Sequence, residues 1–438
     1  MANERKTALA VLAEVEEGAF FNLALKKHLR GLPEQEKRFI TALCFTTLEN
    51  KKRIDYVIAQ FTQGKRVHRL IQNILRLGVC QLMFFESVPE SAAVNECVKL
   101  AEQSPKRQLK GFVNGVLRNV ARHLGEVTYP AREAEPAAYL AVTYSYPQWL
   151  VEKYMADYGM DFAEAMLAYK KEGAATCIRP NRLKIAPADF EASLRASGLA
   201  FAKGAYCEDA YYVKNISAVD DMRLYKKGCI TVQGEASMLA VMAADIQRGM
   251  AVLDLCAAPG GKTAYAAERR PGRLVAQDIH PHRVALMEEN FARLGVVAET
   301  AAADAAIPVP GFYDAFDRVM VDAPCSALGL LYRKPDIKAA KEREDLAALE
   351  ALQRDILETA SRYVKKGGRL VYSTCTINRG ENDGVIDWFL ARHEDFQEAP
   401  LAGCLPEALP LRGGRVQLFP HLNGIDGFFI AALERRAT

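Results

Sequence analysis

Two cysteines fifty positions apart carry the most telling chemistry in this chain: Cys325 in Asp322-Ala-Pro-Cys-Ser326 and Cys375 in Tyr372-Ser-Thr-Cys-Thr376. A thiolate is a soft nucleophile, but a free cysteine is only a few per cent ionised near neutral pH, so a reactive one needs help from its surroundings. Backbone N–H groups facing a strand end would supply such help. Asp322, three residues before Cys325, is a candidate proton donor in the same loop. A lone cysteine is more often a buried core filler. Two of them, each directly after a short apolar run (Arg318-Val-Met-Val321 and Arg369-Leu-Val-Tyr372), point instead to covalent chemistry.

A third apolar run, Val252-Leu-Asp-Leu255, opens into Cys256-Ala-Ala-Pro-Gly-Gly-Lys-Thr263. Gly260 and Gly261 let backbone approach a ligand closely, and the helix expected after them offers unpaired N–H groups. Asp278 closes the next apolar run, where an acid can bond a ribose diol, and Asp304 follows a further candidate strand within reach of an adenine amino group. Together these read as a site for a nucleoside-containing cofactor. A phosphate-cradling P-loop is the rival, because Gly261-Lys-Thr263 mimics its end. The P-loop pattern, however, wants glycine six residues before the lysine, and Cys256 stands there.

The elements that must hold these motifs follow from the apolar pattern. From about residue 241, runs at Val252–Leu255, Leu274–Gln277, Val319–Val321, Leu370–Tyr372 and Phe428–Leu433 alternate with helical segments such as Pro281–Leu294 and Lys341–Val364. Alternation of this kind predicts a doubly wound, Rossmann-like α/β domain with right-handed crossovers. In such a sheet ligands bind beyond the carboxyl ends of the strands, so all three motifs would face one crevice. Residues 1–125 read as an all-α bundle: Ile71, Leu75, Leu82 and Phe85 recur at helical spacing, as do Val94, Val98 and Ala101, with Ser91 a candidate cap. Residues 126–140 hold two prolines and read as a linker. Residues 141–240 read as a small α+β module, with a helix over Gln148–Lys171, another near Asp189–Ser197, and strands at Tyr211–Val213 and Ile230–Val232. The α/β domain would then span 241–438.

The 438 residues carry a net charge of +3, unevenly spread. Residues 1–125 hold 20 Lys and Arg against 12 Asp and Glu, a balance of +8, which leaves −5 for the remainder. A basic first quarter hints at nucleic acid, although on charge alone a solvated helical surface is the commoner cause. Ten cysteines without any Cys-x-x-Cys pair argue against a zinc site and a disulfide scaffold, so no metal is expected. No apolar run approaches the roughly 20 residues of a membrane span, and the first residues have no signal-peptide core, so a cytoplasmic protein is expected.

Cys256-Ala-Ala-Pro-Gly-Gly-Lys262, Asp322-Ala-Pro-Cys-Ser326 and Ser373-Thr-Cys-Thr376 resemble the signature motifs of RNA 5-methylcytosine methyltransferases, and most of all the bacterial RsmB type that acts on 16S ribosomal RNA. Residues 1–125, including Gly18-Ala-Phe-Phe-Asn-Leu23, resemble the NusB-type helical domain of that branch. Lys334-Pro-Asp-Ile-Lys338 and Gly424-Ile-Asp-Gly-Phe-Phe429 are similar to further family segments. The resemblance implies S-adenosyl-L-methionine across Cys256, Ala257, Ala258, Pro259, Gly260, Gly261 and Lys262, with Asp278 on its ribose and Asp304 near its adenine. It implies Cys375 as the nucleophile on C6 of a cytosine, Asp322 on the base edge helping to protonate N3, and Cys325 assisting C5 deprotonation and release. The partner would be 16S rRNA. An RNA-binding assembly factor with an idle α/β domain is the alternative from another class, and the intact cysteines speak against it.

Overall fold

A computed structural model describes residues 2–170, 175–214, 216, 219–340 and 344–437. The chain forms two compact units: Met1–Ala168 with Arg333–Lys341, and Tyr169–Tyr332 with Glu342–Thr438.

The first unit contains helices and, among its described residues, no strand. Its helices Ala2–Glu16, Glu34–Glu49, Lys51–Phe61, Arg69–Phe84, Glu90–Glu102 and Lys110–His123 bury one apolar face each. Ile71, Leu75, Val94 and Ala101 lie in the shared core, as their spacing predicts. Ser91 does not cap: Pro89 occupies the cap position and the helix starts at Glu90. Within the proline-bearing stretch after residue 126, Pro136 opens a helix, Pro136–Thr143, because its fixed φ suits the first turn. The single helix expected over Gln148–Lys171 is two, Gln148–Tyr158 and Met160–Ala168, broken where Gly159 adopts φ +85°. Lys171 itself lies outside the described residues. The short helix Pro335–Ala340 belongs to this unit: the Phe21 N–H donates to the Asp336 carboxylate, and the Lys338 ammonium stands 4.0 Å from the Tyr146 ring centre.

The second unit holds two sheets. The smaller pairs β1 (Ala175–Pro180), β2 (Phe201–Lys203), β3 (Tyr211–Lys214) and β4 (Ile230–Val232) antiparallel in the order β2-β3-β1-β4, with helix Pro187–Ala196 packed on it through Phe190 and Leu194. The larger contains β5 (Ala251–Asp254), β6 (Arg273–Asp278), β7 (Glu299–Ala302), β8 (Phe316–Asp322), β9 (Val364–Thr374), β10 (Phe396–Glu398), β11 (Arg415–Leu418) and β12 (Phe428–Arg435). Its order is β10-β12-β9-β8-β5-β6-β7, with β11 on β12. Strands β5 to β9 are parallel, and β12 runs antiparallel to β9, so the doubly wound core carries an antiparallel edge. Successive residues alternate between the two faces. Val252, Leu274 and Val371 enter one core, while Leu253, Val275, Leu370 and Tyr372 enter the other. Both faces are covered, which is why these strands read as continuous apolar runs.

The chain order reverses between β5 and β8. Strand β5 leads to β6 and β7 on one side, and β8 leads to β9 on the other. The loops after β5, β8 and β9 therefore leave the same edge of the sheet at the reversal, where open α/β sheets bind their ligands.

Candidate active site

The loop after β5 is pinned on both sides. The Leu255 N–H donates to Met320 O (3.0 Å) and the Ala257 N–H to Gln277 O (2.8 Å). Gly260 turns the chain into helix Gly261–Ala267 with φ +92°, and a Cβ there would meet Phe291 Cε1 at 2.7 Å and Met287 Cγ at 2.9 Å. Glycine is thus required by conformation and by space. Asp254 is fully buried below this loop, and its Oδ2 accepts from Thr263 Oγ1 (2.7 Å). Burial pushes its carboxyl up to about 6, against the opposing pull of Thr263 and Lys262.

Within this loop the Lys262 side chain turns toward the cysteine motifs. Its ammonium stands 2.6 Å from Asp322 Oδ2. Burial alone pulls this ammonium down. The Asp322 carboxylate, its hydrogen bond, Asp254 and charge on Cys375 outweigh burial and hold Lys262 above the ordinary lysine range. The second Asp322 oxygen accepts from Ser373 Oγ (3.0 Å), and Ser373 is the β9 residue in register with Asp322 of β8. Asp322 therefore enters the site as an acceptor clamped from two elements.

Adjacent parallel strands bring the two cysteines together. Cys325 lies three residues past the end of β8 and Cys375 one past the end of β9, and their sulfurs are 3.3 Å apart, within hydrogen-bond range for sulfur. The Cys325 thiol is held well above its ordinary range, first by its hydrogen bond to Cys375, then by burial, by charge on Cys375 and by Glu381. The Gly329 N–H donates to Cys375 O (3.1 Å), and the Gly427 N–H donates to Gly329 O (3.0 Å). This backbone contact leaves no room for side chains: a Cβ on Gly329 would meet Gly427 O at 2.0 Å.

A cavity of about 250 Å³ joins these groups. Cys256, Ala258, Asp278, Asp304, Asp322, Cys325 and Cys375 all line it, together with residues that sequence reasoning missed: Ile279, Arg283, Leu352 and Ile356. Ala257, Pro259, Gly260, Gly261 and Lys262 belong to the loop without forming its wall. Asp278 is buried, accepts from the His280 N–H (3.1 Å), and pairs with Arg283 at 3.5 Å. Asp304 accepts from the Ala306 N–H (2.9 Å). Burial, followed by the surrounding carboxylates, raises the Cys256 thiol far above its ordinary range, so this sulfur is wall rather than nucleophile. Acids ending consecutive strands, an apolar rim from Ile279, Leu352 and Ile356, and a glycine cradle fit a nucleoside-bearing donor. Arg283 carried one faint signal, five residues beyond Asp278 on the next helix.

No group of His, Cys, Asp or Glu among the described residues could hold a metal ion, and no described helix is long and apolar enough to cross a membrane.

The family model for 16S rRNA methyltransferase RsmB/F matches residues 241–434, that of the NusB family residues 2–122, and that of the ferredoxin-like domain of RsmF/B-like methyltransferases residues 146–220. The chain is 36% identical over 443 residues to the probable ribosomal RNA small subunit methyltransferase B of Bacillus subtilis (strain 168), covering 99% of this chain and 98% of that protein. It is 32% identical over 440 residues to ribosomal RNA small subunit methyltransferase B of Vibrio cholerae, covering 99% and 98%. Among solved structures, PH0851 is similar at TM-score 0.82 and 26% identity, over 98% of this chain and 97% of that one.

Proposed function

The chain belongs to the RsmB/F family of 16S rRNA methyltransferases, and on that premise we propose that it methylates C5 of a cytosine in 16S rRNA through a transient bond between Cys375 and C6. The observation that carries this reading is the pair of sulfurs 3.3 Å apart beside the clamped Asp322.

S-adenosyl-L-methionine would be held by the backbone of the loop after β5, by Asp278 and by Asp304, and would supply an electrophilic methyl group on a sulfonium centre. The remaining work falls to the protein. Cytosine C5 is a poor nucleophile until C6 is saturated, so covalent attack by Cys375 divides one hard step into easier ones. Attack pushes negative charge into the ring. Asp322 bonds the base edge and relays to N3 a proton supplied by the Lys262 ammonium, which donates to it at 2.6 Å. Cys325 rests as a thiol because Cys375 stands beside it. Once Cys375 is bonded to carbon, its hydrogen bond and its charge no longer hold the Cys325 proton. Cys325 can then lose its proton to solvent and take the C5 proton, while the C6–S bond breaks with its electron pair returning to the Cys375 sulfur and N3 gives its proton back through Asp322.

Residues 1–125 are proposed as the RNA-engaging domain, 141–240 as an α+β module and 241–438 as the methyltransferase domain, acting in the cytoplasm. The target must be unpaired or flipped out for the base to reach a cavity of this kind.

The test is tritium-labelled methyl transfer to 16S rRNA, with mapping of the modified base. Cys375→Ala is expected to lose at least about a thousandfold in rate, some 4 kcal/mol of barrier. Cys325→Ala is expected to leave RNA bonded to Cys375, seen as a slow band on a denaturing gel. Retained turnover in the first variant, or no band in the second, removes the respective role. A catalytically idle assembly factor predicts no transfer by the wild type.

A further inference from the structure

We infer that Glu381, which the chemistry above does not use, is a positioning residue that locks the Cys325 and Cys375 loops into one unit and so sets the spacing and relative reactivity of the two sulfurs. The inference rests on the proposed roles of those cysteines.

Glu381 is fully buried, in the loop between β9 and helix Asp383–Leu390. Its Oε2 accepts from the Ser326 N–H (2.8 Å) and from Gln353 Nε2 (2.9 Å), and its Oε1 accepts from Ser326 Oγ, Asn378 Nδ2 (3.1 Å) and Thr376 Oγ1 (3.4 Å). Ser326 directly follows Cys325, and Thr376 directly follows Cys375. The two hydroxyls also meet each other at 2.7 Å. Gln353 Nε2, in helix Glu344–Ser361, donates in addition to Pro324 O (2.9 Å), the residue before Cys325. Both cysteine loops therefore hang on one carboxylate, and one of them is held on both sides of its cysteine.

The donors named here are all neutral. A buried carboxylate without a cation is a costly arrangement for stability alone. It makes sense where its geometry and its negative charge serve a neighbour. Charge on Glu381 contributes to keeping Cys325 protonated, and so helps to set the two sulfurs apart in reactivity. A hydrogen-bonding carboxylate can also hold two loops to the tolerance that reactive groups need, where displacements of about 1 Å cost orders of magnitude.

The full-length protein tests this with Glu381→Gln, Glu381→Asp, Ser326→Ala and Thr376→Ala. Glu381→Gln is expected to lower kcat ten- to hundredfold at saturating RNA and methyl donor, with both KM values within threefold, and Glu381→Asp to recover part of the loss. Ser326→Ala, which loosens the Cys325 side, is expected to accumulate the covalent RNA band. Thr376→Ala, which loosens the Cys375 side, is expected to slow its formation without accumulation. A readout independent of RNA is alkylation of each cysteine by iodoacetamide, followed by peptide mass spectrometry. The ratio of Cys325 to Cys375 labelling is expected to rise at least fivefold in Glu381→Gln. Should that variant not fold, the same ratio in Ser326→Ala, expected to rise at least twofold, decides. A kcat within twofold of wild type in folded Glu381→Gln, or an unchanged labelling ratio, overturns the inference. A changed ratio with no trapped band in Cys325→Ala would keep the positioning role and remove the covalent mechanism.

Discussion

Replacing Lys262 by methionine probes the site with little change in side-chain volume. The Lys262 side chain is 13% exposed and Asp322 is 32% exposed, with 2.6 Å between the charged atoms. Removing one partner of a fully buried pair costs about 3–5 kcal/mol. Water reaches a third of Asp322 and recovers part of that, so a stability loss of about 1–2 kcal/mol is expected. The catalytic loss should be larger. The ammonium compensates charge on Asp322 and beside Cys375 while the ring becomes electron-rich, and losing one preorganised group of that kind costs on the order of 10²–10³ in rate, about 3–4 kcal/mol. Single-turnover tritium transfer to 16S rRNA measures the loss directly. Band formation in a Cys325→Ala, Lys262→Met double variant reports the attack step alone and should slow by a similar factor. Because the side chain faces Asp322 and does not line the cavity, calorimetry should find methyl-donor affinity within about threefold of wild type. A variant that binds the donor tenfold more weakly yet turns over within twofold of wild type at saturation would refute this reasoning and return Lys262 to the cofactor loop.

Other perturbations have equally definite outcomes. Asp254 has a folded carboxyl near 6 against 3.8 ordinarily, so the folded state binds the extra proton between those values. Stability should fall as pH rises from about 4 to 6 and stay lower above, by on the order of 3 kcal/mol. Asp254→Asn should remove that dependence, so its melting temperature relative to wild type should be higher at pH 8 than at pH 4; a constant offset would contradict the buried charge. Gly329→Ala drives a methyl group into Gly427 O, and should lower the melting temperature, read by calorimetry, and cut methyl transfer at least tenfold, read by tritium incorporation. An active, stable alanine variant would mean that the two loops are not held backbone to backbone.

Much of the fold could be read from the chain because each parallel strand is an apolar run that stops at a motif. Val252–Leu255 ends at the glycine loop, Leu274–Gln277 at Asp278, and Leu370–Tyr372 just before Cys375. Strand direction is not written in such runs, which is why Phe428–Leu433 gave no sign that β12 is reversed. A single glycine also carries little weight against a helical pattern, so the break at Gly159 was hidden until its positive φ appeared. In the site, the residue types of Cys325, Cys375, Asp278 and Asp304 announced themselves through chemistry. The turn of Lys262 toward Asp322, and the carboxylate of Glu381 beneath both cysteine loops, depend on side-chain directions across sixty and more than fifty residues of chain. Local sequence holds no trace of them.

The register of β8 on β9, with Asp322 opposite Ser373, carries an evolutionary consequence. The pitch of neighbouring strands, about 4.8 Å, brings the two cysteine loops side by side, and the Glu381 clamp then sets the gap between the sulfurs. Lengthening or shortening the crossover that joins the strands on its outer side can leave the thiol pair intact. Deleting a single residue inside either strand would slip its register and pull its cysteine loop out of line with the other. Tolerance to insertions should therefore be generous between the two motifs and nearly nil within them.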